Sequence, residues 1–234
     1  DHAGPSRRST RNGNCGFQVI HRKPGRVDGM IDHLVFATSD VDQTVAELAE
    51  LLGVKAAAGG RHLGYGTRNS LLSLGPGVYL EIIGPDPGQP PPGDGYWYGI
   101  ENIKKARLVA WTARLEHIER VAAHAHAQGY ETGDVHKVFR ETPEGDRLSW
   151  RLTMPTGSGD GLVPNLIEWD EGCPHPSETS PPGVDLVELR GHHPAPDTIR
   201  PMLDAIGVEL TIYPASTPGL SALLDAPTGP VELR

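Results

Sequence analysis

Four polar side chains stand inside otherwise apolar runs: His33 in "IDHLVFAT", Glu81 in "VYLEIIG", Arg107 in "ARLVAW" and Glu168 in "NLIEWD". Each run reads as a strand, where side chains i and i+2 share a face, and burying a charge there is costly unless it has work or a partner. One imidazole and two carboxylates form a hard, oxygen-rich donor set suited to Mn, Fe(II), Ni or Zn. A metal on His33, Glu81 and Glu168 would hold a substrate through two neighbouring oxygens as a Lewis acid. Glu81 or Glu168 would then move a proton next to a carbonyl. A guanidinium cannot ligate and stays charged. Arg107 therefore leaves two readings open: three ligands plus water bind a metal, or Arg107 takes the cation's place and pairs with Glu81 or Glu168.

Other residues offer substrate contacts. "GGRHLGYGTRN" reads as a Gly-rich loop carrying Arg61, His62, Arg68 and Asn69, able to hold an anionic or amide-bearing ligand through Arg forks and backbone N–H groups. A helix precedes it and a strand follows, so it is not a dinucleotide fingerprint. "LSWRLTMP" puts Trp150 and Leu152 on one face and Arg151 on the other, where Arg151 either binds a substrate carboxylate or pairs with a neighbouring Glu. Cys173 and His175 in "CPHP" read as loop residues between prolines. His117, His124 and His126 have spacings of 7 and 2, which do not give the i, i+4 pair a chelating helix needs, and are expected to be exposed. A nucleophile elbow and a P-loop are both lacking.

The elements that must position these residues form a repeat. "IDHLVFAT" is a strand, and "SDVDQTVAELAELLG" a helix with Ser39 or Asp40 as N-cap, Gly53 as stop and Val41, Val45, Leu48, Leu51 and Leu52 near one face. "SLLSL" and "VYLEIIG" follow as a hairpin. The order recurs: strand "ARLVAW", helix "LEHIERVAAHAHAQG", a hairpin across "PEGD", and "LVPNLIEWD". Laying "RLVAWT" over "HLVFAT" matches Arg107 to His33, and "I-E-W" against "L-E-I" matches Glu168 to Glu81. A shorter third copy starts at "VDLVELRG" and ends at "PVELR". Pro-rich runs at 84–95 and 173–183 lie between the copies as linkers. The expected fold is α+β: tandem βαβββ modules forming a curved mixed sheet around a cleft, with a third partial βαβββ-like module at the C-terminus. The expected division is an extension over 1–29, a paired domain over 30–172 and the partial module over 183–234.

From about residue 31 to 170 the sequence resembles the vicinal oxygen chelate superfamily. "GGRHLGYGTRNSLLSLGPGVYLEIIGPDP", "LSWRLTMP" and "NLIEWDEGCPHP" are similar to its glyoxalase-like domain family. The resemblance implies paired βαβββ modules whose first and last strands supply metal ligands, here His33, Glu81 and Glu168. It implies a lyase, isomerase or dioxygenase acting on a small oxygenated metabolite. Arg61, His62, Asn69, Arg107, Trp150 and Arg151 are the substrate-binding candidates. The resemblance also allows a metal-free protein that sequesters an antibiotic or other small molecule in the same cleft, a reading Arg107 favours. A third reading is an interaction module whose cleft is filled by its own side chains. By analogy of fold, a homodimer is possible.

Composition narrows the partners. The 234 residues carry a net charge of −9, with +4 on residues 1–29 and so −13 on the rest, which disfavours nucleic acid. No run is long and apolar enough to span a membrane. Two cysteines, Cys15 and Cys173, make no disulfide framework, so a cytoplasmic setting is expected. Arg7-Arg8 lacks the apolar segment of a secretion signal, and residues 1–29 read as an extension before a start at Met30, or else as a basic arm on the domain.

Overall fold

The computed structural model describes residues 31–141, 145, 147–154 and 158–234. The extension at 1–29 and, apart from Gly145, the "PEGD" turn fall outside the described residues.

The first module runs β1 (Ile31–Ala37), α1 (Val41–Leu52), β2 (Ala57–His62), β3 (Thr67–Ser73) and β4 (Tyr79–Pro85). The second runs β5 (Arg107–Arg114), α2 (Ile118–Ala127), β6 (Val135–Glu141), β7 (Arg147–Thr153) and β8 (Asn165–Trp169). Together they form one eight-stranded sheet, ordered β2-β3-β4-β1-β5-β8-β7-β6. The order is symmetric about the β1–β5 pair. β1 is parallel to β4 and β5 to β8, each within its own module, while β1 and β5 are antiparallel across the seam. β2 and β6, at the two ends of the order, lie against each other, so the sheet curls around its concave face. This is the tandem arrangement expected from the repeat.

The loop expected at "GGRHLGYGTRN" is a hairpin. Arg61 and His62 end β2, Arg68 and Asn69 begin β3, and Gly64 and Gly66 take positive φ in the turn between. Helix α1 starts at Asp40, whose carboxylate accepts from the Gln43 N–H (3.0 Å), and stops at Gly53 in the left-handed region. Its inner face is Val41, Thr44, Val45, Leu48 and Leu52. Leu51 is exposed, against expectation, because residue 51 falls outside the buried stripe. His117, His124 and His126 are exposed, as their spacing suggested.

A short helix α3 (Pro176–Thr179) interrupts the second Pro-rich run. Then β9 (Asp185–His193), α4 (Pro196–Ile206), β10 (Thr211–Pro214), β11 (Gly219–Ala226) and β12 (Gly229–Leu233) repeat the element order of the modules. Their strand order is different, β10-β9-β11-β12, with β9 inside the sheet. This unit packs through α4 on α2, β11 on β5 and β12 on α1. The main core lies on the convex side of the large sheet, where Leu34, Phe36, Leu80, Ile82 and Trp111 meet Leu48, Ile118, Leu203 and Leu224. Among the described residues no helix is long and apolar enough to cross a membrane.

Candidate functional site

Alternation along the strands decides what the concave face receives. On β4, Leu80 and Ile82 join the convex core, so Tyr79, Glu81 and Ile83 face inward. On β8, Ile167 and Trp169 face inward; on β7, Trp150 and Leu152; on β3, Asn69 and Leu71; on β2, His62. Residues 96–103 of the linker between the modules fold into the concavity, bringing Trp97 and Tyr98 against these strands. The space left is small, about 40 Å³, room for a few water molecules.

β1 carries the polar centre. The β1–β5 ladder slips between Ile31 and His33, so Ile31 packs into the convex core while Asp32 lies beside His33. Such bulges re-aim side chains. His33 Nδ1 is 2.7 Å from Asp32 Oδ1. The other Asp32 oxygen accepts from Trp169 Nε1 (2.9 Å) and from His175 Nε2 (3.0 Å), with Arg114 at 3.8 Å. Burial pushes the Asp32 carboxyl up, but the hydrogen bonds and charges of His175 and His33 outweigh it and leave the group well below the usual carboxylate range. Asp32 is therefore ionised and only accepts, which fixes a proton of His33 on Nδ1. Thr112 Oγ1 is hydrogen-bonded to Nε2 at 3.0 Å. The ring stacks on Tyr79, centroids 4.7 Å apart.

Glu81 stands beside this pair. Its Oε2 is 3.8 Å from His33 Nε2, its Oε1 is 3.7 Å from His62 Nε2, and Oε1 accepts from Asn69 Nδ2 at 2.6 Å. His62 Nδ1 is held 2.9 Å from Thr67 Oγ1. Tyr98 closes the site. Its hydroxyl accepts from Asn165 Nδ2 (3.0 Å), and burial, reinforced by the charge of Glu81, raises its pKa well above the ordinary phenol value. The phenol thus stays protonated and remains a donor.

The structure brings together His33, His62, Asn69, Glu81 and Trp150, and leaves out Arg61, Arg107, Arg151 and Glu168. Glu168 lies on the convex face, between the inward Ile167 and Trp169. Its Oε2 accepts from the Ile118 N–H at the start of α2 (3.0 Å), and its Oε1 pairs with Arg151 (2.6 Å). Matching "I-E-W" to "L-E-I" was wrong by one residue, and one residue is the difference between the two faces of a strand. Arg107 opens β5 opposite Ala37, while His33 faces Thr112; a slip near Val109 further breaks the alignment of the two first strands. Arg151 pairs with Glu119 (2.7 Å) and Glu168, and Arg61 with Asp86 (2.5 Å), both outside the cavity. Replacing Arg151 with Ala is expected to leave ligand affinity unchanged and the melting temperature nearly so, since partly exposed ion pairs contribute little. Paired thermal-shift titrations of the two proteins check this.

The metal set His33, Glu81 and Glu168 is therefore not assembled. Glu81 Oε1 is already taken by Asn69, and among the described residues no group of three or more His, Cys, Asp or Glu side chains is arranged to hold a metal ion. The donors present do not fit a resident metal. Asp32, Thr112, Trp169 and His175 were missed. An Asp next to a strand His was visible in "IDH", but the bulge that turns both to one side was not.

Two βαβββ modules curled around an inward-facing polar cluster define a protein of the vicinal oxygen chelate class. The chain belongs to the glyoxalase-like domain family, whose model matches residues 31–207. Comparison with curated proteins gives no match. Among solved structures, a hypothetical protein from Staphylococcus aureus superposes with a TM-score of 0.60 at 14% identity, covering 81% of this chain and 87% of that one. Weaker similarity is found to methylmalonyl-CoA epimerase from Mycobacterium tuberculosis (TM-score 0.41, 17% identity, 59% of this chain and 87% of that one). A Streptomyces coelicolor methylmalonyl-CoA epimerase variant in complex with 2-nitronate-propionyl-CoA gives 0.39 at 18% identity, covering 59% and 96%.

Proposed function

We propose that this protein is an enzyme that moves a proton at a carbon next to a carbonyl of a small oxygenated metabolite, by isomerase- or lyase-type chemistry in the concave cavity. The observation that carries the reading is His33 on the cavity wall, with buried Asp32 behind it at Nδ1 and with Thr112 Oγ1 3.0 Å and Glu81 3.8 Å from Nε2. His33 Nε2 is the base. Once protonated, its ring lies between two carboxylates, Asp32 and Glu81, which stabilise the imidazolium. The protonated Tyr98 hydroxyl is a donor for the substrate oxygen as charge develops there. The aromatic wall of Trp97, Trp150 and Trp169 makes the surroundings less polar than water and so strengthens these interactions.

The test is deuterium wash-in from D2O, followed by proton NMR, at the carbon next to the carbonyl of pyruvate, 2-oxobutyrate and hydroxyacetone. Exchange above the buffer rate, reduced at least about a hundredfold in His33→Ala, is the expected result. Exchange that survives His33→Ala unchanged removes His33 as base.

A second reading is favoured by a different observation. Five aromatic residues, Tyr79, Trp97, Tyr98, Trp150 and Trp169, surround a single carboxylate, Glu81. That arrangement suits retention of a small organic cation without chemistry. Absence of exchange, together with a melting-temperature rise on adding a small organic cation such as tetramethylammonium, selects it.

A further inference from the structure

A second and much larger cavity, about 1160 Å³, opens between the second module and the C-terminal unit. Its rim on the module side is the end of the inter-module linker and the start of β5, "KKAR", where Lys104, Lys105 and Arg107 all border the space and are exposed. They make no ion pair among the described residues. Arg234 adds a fourth cation from the C-terminal unit, already paired with Glu232. Asp160 is the acidic residue on the wall, and it is held by His193 Nε2 at 3.0 Å. In a chain of net charge −9, three unpaired cations in four residues on one concave rim are a local reversal of sign. A concave surface of one sign with apolar walls focuses its field on the space it encloses. The walls are apolar: Leu108 and Val163 on one side, Leu220 and Pro218 on the other. They are held in place, since the Leu108 N–H donates to Arg234 O (3.0 Å) across the junction of the two units.

We infer that this groove binds a phosphorylated organic molecule, with Lys104, Lys105 and Arg107 on the phosphate charges and the apolar walls on the organic body. Several cations call for at least two negative charges, which a phosphate ester carries on few atoms. An Arg fork with flanking ammonium groups matches phosphate oxygens. The volume is that of a site for a molecule of nucleotide size rather than for an inorganic ion. The groove shares Tyr98 with the His33–Glu81 cavity, but none of its three rim cations lines that cavity, and the inference does not depend on the reaction proposed there.

The experiment is isothermal titration of the full chain with ADP, pyrophosphate and citrate, at about 50 mM and about 300 mM NaCl. ADP is expected to bind more tightly than pyrophosphate or citrate, and to weaken at the higher salt. Arg107→Ala and the double variant Lys104→Ala/Lys105→Ala are each expected to weaken ADP at least about tenfold. These residues are exposed, so the variants should keep the parent melting temperature; Lys105→Glu is the alternative if one does not. His33→Ala is expected to leave ADP binding unchanged. The proposal fails if ADP gives no saturable binding, if its affinity is the same in the rim variants, or if His33→Ala abolishes it. Citrate binding more tightly than ADP overturns the assignment to phosphate.

Discussion

Replacing Asp32 with asparagine lowers the unfolding free energy by about 3 kcal/mol at neutral pH, as expected when one member of a buried charged network is removed. Asp32 is fully buried and collects His33, His175 and Trp169 on its two oxygens. An amide keeps the shape but brings an N–H2 group where three donors already point, so at least one buried donor loses its acceptor. The pH dependence has a definite sign. The folded carboxyl titrates below its unfolded value, so its contribution is complete above about pH 5 and is lost as pH falls from there to the folded value. The gap between wild type and variant in urea unfolding should narrow progressively as pH falls below about 5. The proton on His33 Nδ1 is also released from its fixed position, so any exchange activity should fall with the stability. A variant as stable as the wild type at pH 7 would remove Asp32 from the centre of the site.

Gly161→Ala is expected to cost about 3 kcal/mol or more, from a backbone conformation unfavourable to L-residues and from overpacking together. Gly161 has φ +78°, and a Cβ there would run into the carbonyl oxygen of Val109, a backbone atom that cannot swing aside. Val109 lies at the irregular stretch of β5, and the chain after Gly161 leads into β8 and to Asn165, which holds the Tyr98 hydroxyl. The substitution should therefore lower the melting temperature and also loosen Tyr98, read as increased quenching of tryptophan fluorescence by acrylamide. Gly64→Ala is the control: it also has positive φ but no neighbour for the added carbon, so it should cost less.

The elements were legible because helix and strand patterns are local. The run from Ile31 to Ala37, the Asp40 cap and the Gly53 stop could be read directly, and the repeat then implied the tandem sheet. The cluster was legible only in part. Glu81 lies between inward Tyr79 and Ile83 on a regular strand, so alternation placed it correctly. Glu168 failed because the second module has an inward Ile and Trp on either side of it, and the comparison of short motifs had no means of fixing the face. Arg107 failed because the two slips in the β1–β5 ladder are invisible in either strand alone. His175 is separated from Asp32 by 143 positions, and only the path of the Pro-rich run brings them together. Among the misplaced residues, Arg107 still borders a cavity, although a different one.

Both irregularities of the β1–β5 ladder fall in the pairing that ties one module to the other. The parallel ladder of β1 with β4, inside the first module, is unbroken. Bulged stretches forgo some of the cross-strand bonds that resist shear. The midline of the sheet, with two such irregularities, is therefore a place where the sheet can yield, as is the single one between β2 and β3, and a guest larger than a few waters would be accommodated by the two halves flexing about the β1–β5 line.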